Sequence, residues 1–347
     1  MKNINSICFL VNGNQKIGLG HVYRSITIAT EAIKRGIATS FVFQENPIIQ
    51  ELLQANNIPF KVVKEDVWKT PKTHIHQYRE LLKSKDVVVL DLLEKEFLKF
   101  NFLPEFEIKM VSITSFYYSE ETRYEDLSFF PGMEIKTNPF IQNKYKKTKL
   151  LSGPKYLTFR DEFLKDFSKE FNEVTPEILV TMGGSDAFGF TPIVVKALLN
   201  LDLDYKATVI LGTAATTFNE VEQLASNSPN IIIKKSVNNI ADLMFNSTCA
   251  IINGGLTRYE LALTGTPFIA LSIHEMQYNI TERVTELVGG VNLGIVKNLD
   301  QADITKAIKD LILNREKRKS ISKALQNTID SKGTSRILDC IENIELN

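Results

Sequence analysis

Cysteine is scarce in this chain of 347 residues, with Cys8, Cys249 and Cys340 the only three. An odd count, wide spacing and the lack of any Cys-x-x-Cys pair or His/Cys cluster argue against a disulfide framework and against structural zinc. All three are expected as buried, reduced thiols. A surplus of charge is missing too: Lys plus Arg number 41 and Asp plus Glu 41. That balance removes the electrostatic drive for non-specific binding to nucleic acid or anionic lipid, so neither is expected as a partner. Long apolar runs are also absent. The N-terminus leads into the run 7–11, which is too short for a signal peptide and ends at Asn12-Gly13-Asn14, and no later run approaches a membrane span. A cytoplasmic location is the expectation. What the chain does have is 44% hydrophobic and 24% charged residues, the composition of a folded protein, at a length that suits two cores better than one.

The first half alternates short β-branched or aromatic runs with amphipathic runs of helix length, the pattern of a parallel sheet covered by helices. It predicts strands at 7–11, 39–43, 60–63, 87–91 and 109–113, with helices at 21–35, 47–55 and 74–84. The alternation decays over 116–155, where Pro131-Gly132, Asn138-Pro139 and a basic run offer loop chemistry, so a domain boundary is expected there. A second series predicts strands at 178–181, 207–211, 231–234, 250–252 and 268–272. Its helices fall at 191–199, 240–245, 258–264 and 277–288, and 303–347 is helical with a break at 331–333. The fold class expected is α/β: two facing doubly wound, Rossmann-like domains, 1–155 and 156–347, the last helix packing back on the first. Ligands of such sheets bind beyond the carboxyl ends of the strands, here in an interdomain cleft.

Three motifs sit at such ends. Gly18-Leu19-Gly20-His21-Val22-Tyr23-Arg24 follows the first strand: the glycines permit close approach of a ligand, and His21 can take a proton near neutral pH. Arg24, one turn on, could anchor an anionic or hydroxyl-rich group. An isolated Gly-x-Gly-His is more often a plain turn with a capping histidine; its place after the first strand favours function. His74, His76 and His274 have no such setting. Thr181-Met182-Gly183-Gly184-Ser185-Asp186 suits a loop whose amides meet phosphate oxygens, although a simple strand-to-helix turn looks much the same. Asn253-Gly254-Gly255-Leu256-Thr257-Arg258-Tyr259-Glu260, followed by Gly265-Thr266-Pro267, is the most specific. It delivers a glycine pair and Thr257 to a helix N-terminus that can hold a diphosphate, with Glu260 one turn in and placed to accept from a ribose diol.

With these residues in place, the chain resembles the pseudaminic-acid-pathway UDP-sugar hydrolases and spore-coat polysaccharide proteins, relatives of the glycosyltransferases with the GT-B fold. The likeness covers nearly the whole chain and includes Arg160-Asp161-Glu162-Phe163 and Glu275-Met276-Gln277-Tyr278-Asn279. It implies a UDP-sugar substrate of acetamido, 6-deoxy type, used in nonulosonic acid or surface polysaccharide synthesis. It further implies His21 as the base that activates water, with Asp91 second in line, and Gly20, Arg24 and Gln277 on the sugar or acceptor side. On the nucleotide side it implies Gly183, Gly184, Ser185, Asp186, Val237, Asn238, Gly254, Gly255, Leu256, Thr257 and Glu260. Neither a metal nor another cofactor is implied. Leu93 replaces a tyrosine of the hydrolases, Met276 an asparagine, and Ser112-Ile113-Thr114-Ser115 their acidic residues; all three changes fall on the sugar side. A glycosyltransferase using the same pocket with a sugar acceptor is therefore the alternative reading. A non-catalytic nucleotide-sugar binder ranks last because His21 is present.

Overall fold

The computed structural model describes residues 3–13, 19–114, 123–132, 139–172, 174–184, 186, 188–212, 215–235, 237 and 239–345. Among the described residues there are thirteen strands, most of them separated by helices: β1 Ser6–Val11, β2 Ala38–Gln44, β3 Phe60–Val63, β4 Val87–Asp91, β5 Lys109–Ile113, β6 Leu127–Pro131, β7 Lys149–Gly153, β8 Glu177–Thr181, β9 Lys206–Leu211, β10 Ile231–Lys235, β11 Cys249–Asn253, β12 Phe268–Ser272 and β13 Val291–Ile295. All pairings are parallel, in a seven-stranded sheet of order β3-β2-β1-β4-β5-β6-β7 and a six-stranded sheet of order β10-β9-β8-β11-β12-β13. The order reverses between β1 and β4 in the first sheet and between β8 and β11 in the second, which makes those two gaps the switch points.

The chain packs as two units, Met1–Phe159 with Ser331–Asn347, and Arg160–Asp330. Residues 116–155, read from the sequence as a loop region, contribute β6 and β7 to the first sheet, and the division comes after Phe159 rather than after residue 155. Helix Gly333–Glu342 belongs to the first unit, where Gly333 lies so close to Leu157 that an added Cβ would meet its carbonyl oxygen at 1.9 Å.

The first sheet is buried on both faces, which is why its central strands read as continuous apolar runs. Ile7, Phe9, Val11, Val87, Val89, Val111 and Ile113 form one face with Val22, Ile26 and Ala29 of helix Gly20–Lys34 and with Ile337, Leu338 and Ile341 of helix Gly333–Glu342. Cys8, Leu10, Val42, Val88 and Leu90 form the other with Trp68, Tyr78, Phe100 and Phe102, whose rings meet edge-on, Trp68 and Tyr78 at 5.3 and 5.5 Å from Phe100. Burial raises the Cys8 thiol to about 11, against weaker opposing effects of Ser40 and Lys85, so it stays a thiol at neutral pH. Cys249 is buried as well and forms no disulfide among the described residues, whereas Cys340 is only half-buried. No helix among the described residues is long and apolar enough to cross a membrane.

Candidate functional site

Alternation along β4 puts Asp91 on the same face as Val87 and Val89, the face covered by helix Gly20–Lys34. On that helix His21, Arg24 and Ser25 stand at i, i+3 and i+4, one above another. All three converge on the Asp91 carboxylate, which is fully buried. His21 Nδ1 lies 2.5 Å from Oδ1, Arg24 donates from Nη2 to Oδ1 at 2.5 Å and from Nε to Oδ2 at 2.8 Å, and the Ser25 hydroxyl donates to Oδ2 at 3.1 Å. Burial by itself would raise the Asp91 carboxyl. The charges of Arg24 and His21 and their hydrogen bonds outweigh it and hold the group at about 2.

An ionised Asp91 accepts the proton on His21 Nδ1, which leaves the Nε2 lone pair as the basic position of a neutral ring. This corrects two expectations. Asp91 is the group that orients His21, since every approach to its oxygens is taken by donors of helix Gly20–Lys34. Arg24 commits two of its nitrogens to Asp91 and is part of the same cluster, not an anchor held ready for substrate. Gly20 opens the helix with open space where a Cβ would lie, while Gly18 falls outside the described residues.

Ser112 and Ile113, read as replacing acidic residues beyond a strand, lie within β5. Ser112 points to the face opposite Asp91, where its hydroxyl donates to Glu125 Oε1 at 2.5 Å beside the buried Arg123. Leu93, two residues past Asp91, is exposed. Ser115 lies outside the described residues, as does the Met276 side chain.

In the second unit the two glycine loops meet at the switch point. Asn253, closing β11, donates from Nδ2 to the Met182 carbonyl at 2.9 Å. Met182, Gly183, Gly184, Asp186, Phe188, Phe190, Asn253 and Ile273 surround a hollow of about 120 Å³, smaller than the few hundred Å³ of a nucleotide site yet roomy for a phosphate group. Gly183 has φ +81°, a conformation side-chain-bearing residues rarely adopt. Gly212, just past β9, approaches so closely that a Cβ there would meet the Gly184 carbonyl oxygen at 1.9 Å, whereas a Cβ on Gly184 itself meets nothing within 4 Å. Gly212→Ala is expected to lower stability by about 1 to 3 kcal/mol as backbone moves aside, while Gly184→Ala melts close to wild type. Equal melting temperatures for the two variants would refute the close approach.

Asp186 is not available to a nucleotide. Its carboxylate is buried and accepts from the amides of Phe190 and Thr191 at 2.9 and 3.1 Å, at the start of helix Thr191–Leu199, and from the Thr217 hydroxyl at 3.0 Å. Negative charge at a helix N-terminus is favourable, which accounts for the role. Ser185 and Asn238 lie outside the described residues; Val237 is described and precedes the cap Asn239 of helix Ile240–Asn246 by two residues.

At the third motif, the amides expected to be free are already used. The Gly254 amide donates to the Leu271 carbonyl at 3.0 Å and the Gly255 amide to the Asn253 carbonyl at 2.8 Å. The donors that find no acceptor among the described residues are those of Leu256, Thr257 and Arg258, at the opening of helix Thr257–Thr264. Gly254 is held by bulk: a Cβ would lie 2.5 Å from Thr281 Oγ1 and 2.8 Å from Gln277 Cγ. Gln277 thus supports the glycine loop of the second unit, and its Oε1 accepts from the Ile273 amide at 2.6 Å; it was expected on the sugar side.

Glu260 stands one turn into the helix. Its Oε1 lies 3.2 Å from Arg160 Nη2, and Arg160 Nη1 lies 2.8 Å from Glu162 Oε1. Glu162 Oε2 in turn accepts from the Ala241 amide at 3.1 Å. Burial raises the Glu260 carboxyl above its ordinary range, with Arg160 pulling the other way. Arg160, Glu162, Gly212 and Arg258 were given no role by sequence reasoning. For Arg258 a signal existed: it shares a helical face with Leu261 and Ala262 at i+3 and i+4, which would bury it.

No family model matches the chain. It is 28% identical over 308 residues to an uncharacterized protein of Methanocaldococcus jannaschii, covering 84% of this chain and only 60% of that protein's length. It is 21% identical to the spore coat polysaccharide biosynthesis protein SpsG of Bacillus subtilis, over 96% of both chains. Among solved structures it is similar to Anabaena HepE in complex with UDP and glucose, at 14% identity and a TM-score of 0.64, covering 98% of this chain and all of that one. The two parallel sheets with their helices are the Rossmann-like domains of the GT-B fold.

Proposed function

We propose that this protein is an enzyme that cleaves the bond between the anomeric carbon of a UDP-activated sugar and its diphosphate, with water as acceptor in the first reading. The observation that carries it is the tautomer fixed on His21, whose Nδ1 is bound to an ionised Asp91 so that Nε2 is the base. Nε2 takes a proton from water as the oxygen bonds to the anomeric carbon. The carbon–oxygen bond to the diphosphate breaks, its electron pair leaves with UDP, and the imidazolium formed is stabilised by Asp91. The amides of Leu256, Thr257 and Arg258 receive diphosphate oxygens, and Glu260 accepts from the ribose. Support for UDP comes from the resemblance in the motifs and from HepE, solved with UDP and glucose. The name of the Bacillus relative supports a place in surface polysaccharide synthesis.

The second reading, transfer to a sugar hydroxyl, is favoured by Leu93, an exposed apolar side chain near Asp91 where the hydrolases carry a tyrosine. Incubation with UDP-, CMP- and GDP-sugars, with and without acceptors, followed by NMR of the anomeric carbon, separates the readings. Release of UDP without acceptor supports hydrolysis, release only with acceptor supports transfer, and no release from any donor sinks both. Glu260→Ala is expected to weaken UDP by about tenfold to a hundredfold, since hydrogen bonds to a charged acceptor are worth roughly 1.5 to 3 kcal/mol. Unchanged calorimetric affinity in a folded variant would remove Glu260 from the site.

A further inference from the structure

Arg258 is a buried arginine with no acid paired to it among the described residues. It is only 5% exposed, and its hydrogen-bond partners among the described residues are all neutral. Nη1 donates to the carbonyl oxygens of Gly254 and Gly255, the latter at 2.9 Å, and Nη2 to the Tyr259 hydroxyl at 3.2 Å. The guanidinium lies 4.5 Å from the Tyr259 ring centre, and the buried Nε has no acceptor among the described residues. A guanidinium cannot shed its charge in a protein, so burial without a counter-ion is costly. The charge lies directly behind the glycine turn. It also orients that turn: in a planar trans peptide the N–H points opposite to the C=O, so drawing the Gly255 carbonyl onto Arg258 turns the Leu256 amide away from it.

We propose that Arg258 is the counter-charge and positioning residue for an anionic diphosphate seated on the amides at 256–258. The proposal rests on the nucleotide reading above and assigns to a residue behind the loop the preference for diphosphate over the bare nucleoside. Arg258 acts in two ways: it holds the Gly254 and Gly255 carbonyls inward, and it supplies positive potential through a poorly screened interior.

Calorimetric titration of wild type, Arg258→Met and Arg258→Lys with UDP, uridine and inorganic pyrophosphate tests it. Arg258→Met is expected to weaken UDP and pyrophosphate by about tenfold to a hundredfold and to leave uridine unchanged; Arg258→Lys, which keeps the charge, recovers part of the pyrophosphate affinity. A residue that merely holds the fold would weaken UDP and uridine equally, and that result overturns the proposal, as does wild-type UDP affinity in Arg258→Met. Should Arg258→Met fail to fold, the Arg258→Lys titrations decide: weakened UDP and pyrophosphate with unchanged uridine supports the role, and wild-type affinity for all three, or parallel loss of uridine, overturns it. A wild type that binds pyrophosphate through Arg258 but neither UDP nor uridine refutes the nucleotide reading alone.

Discussion

Turnover of His21→Asn is expected to fall by about 10² to 10⁴ while UDP affinity stays at the wild-type value. An amide in place of the ring can still hydrogen-bond to Asp91 and Arg24, so the cluster is kept, but it cannot accept a proton from the attacking oxygen. The nucleotide contacts proposed for the second unit, at 256–258 and Glu260, do not involve His21. A separation of kcat from affinity is therefore the signature of a base. Near-native turnover in His21→Asn, measured by UDP release, would reduce His21 to a ground-state contact. Parallel loss of UDP binding and turnover would make its role structural.

Asp91→Ala has the other large effect, and it reaches stability as well as rate. The carboxylate is fully buried and receives His21, Arg24 and Ser25. Removing it leaves the Arg24 guanidinium without its partner at a site only 15% exposed, which costs about 3 to 5 kcal/mol. Chemical denaturation reads that loss directly, and an unchanged midpoint would show the cluster to be dispensable. Turnover falls too, because nothing then holds the proton on Nδ1. The pH dependence follows from the direction of the shift. Asp91 titrates at about 2 when folded, below its ordinary value of 3.8, so its contribution is present in full above the unfolded value and is lost as pH falls through the folded one. That contribution is roughly 2 kcal/mol. Asp91→Asn, which cannot titrate, should lose this part of the acid dependence between about pH 4 and pH 2.

The strands that could be read from the sequence were those with uninterrupted apolar runs. Val87–Asp91, Lys109–Ile113 and Phe268–Ser272 emerge with the bounds that composition predicts, because a parallel strand buried on both faces needs apolar residues nearly throughout; Phe60–Val63 also emerges with its bounds, although it is an edge strand that exposes Lys61 and Val62. β6 and β7 were hidden by their own ends, Pro131 and Gly153, which in a single sequence look like turns. β13 was hidden by Asn292 and Gly294, residues that accompany a shift of register against β12. The positions of the glycine motifs at strand ends were legible for the same reason as the strands. Their chemistry was less so: the sequence cannot say that the Gly254 and Gly255 amides have acceptors, or that Asp186 caps a helix. The pairing of His21 with Asp91 spans 70 residues, and only the neighbouring places of β1 and β4 in the sheet bring it about.

The division of the chain also orders its assembly in time. Arg160–Asp330 is a continuous stretch inserted into the first unit, so its strands and covering helices need nothing from the residues on either side of it. The first unit cannot. Until residues 333–342 emerge, the sheet face formed by Ile7, Phe9 and Val87 lacks Ile337, Leu338 and Ile341, and the apolar surface they cover stays open to water. The part of the molecule made first is therefore the part finished last, and a nascent chain carries an unsealed host through the whole synthesis of the insert.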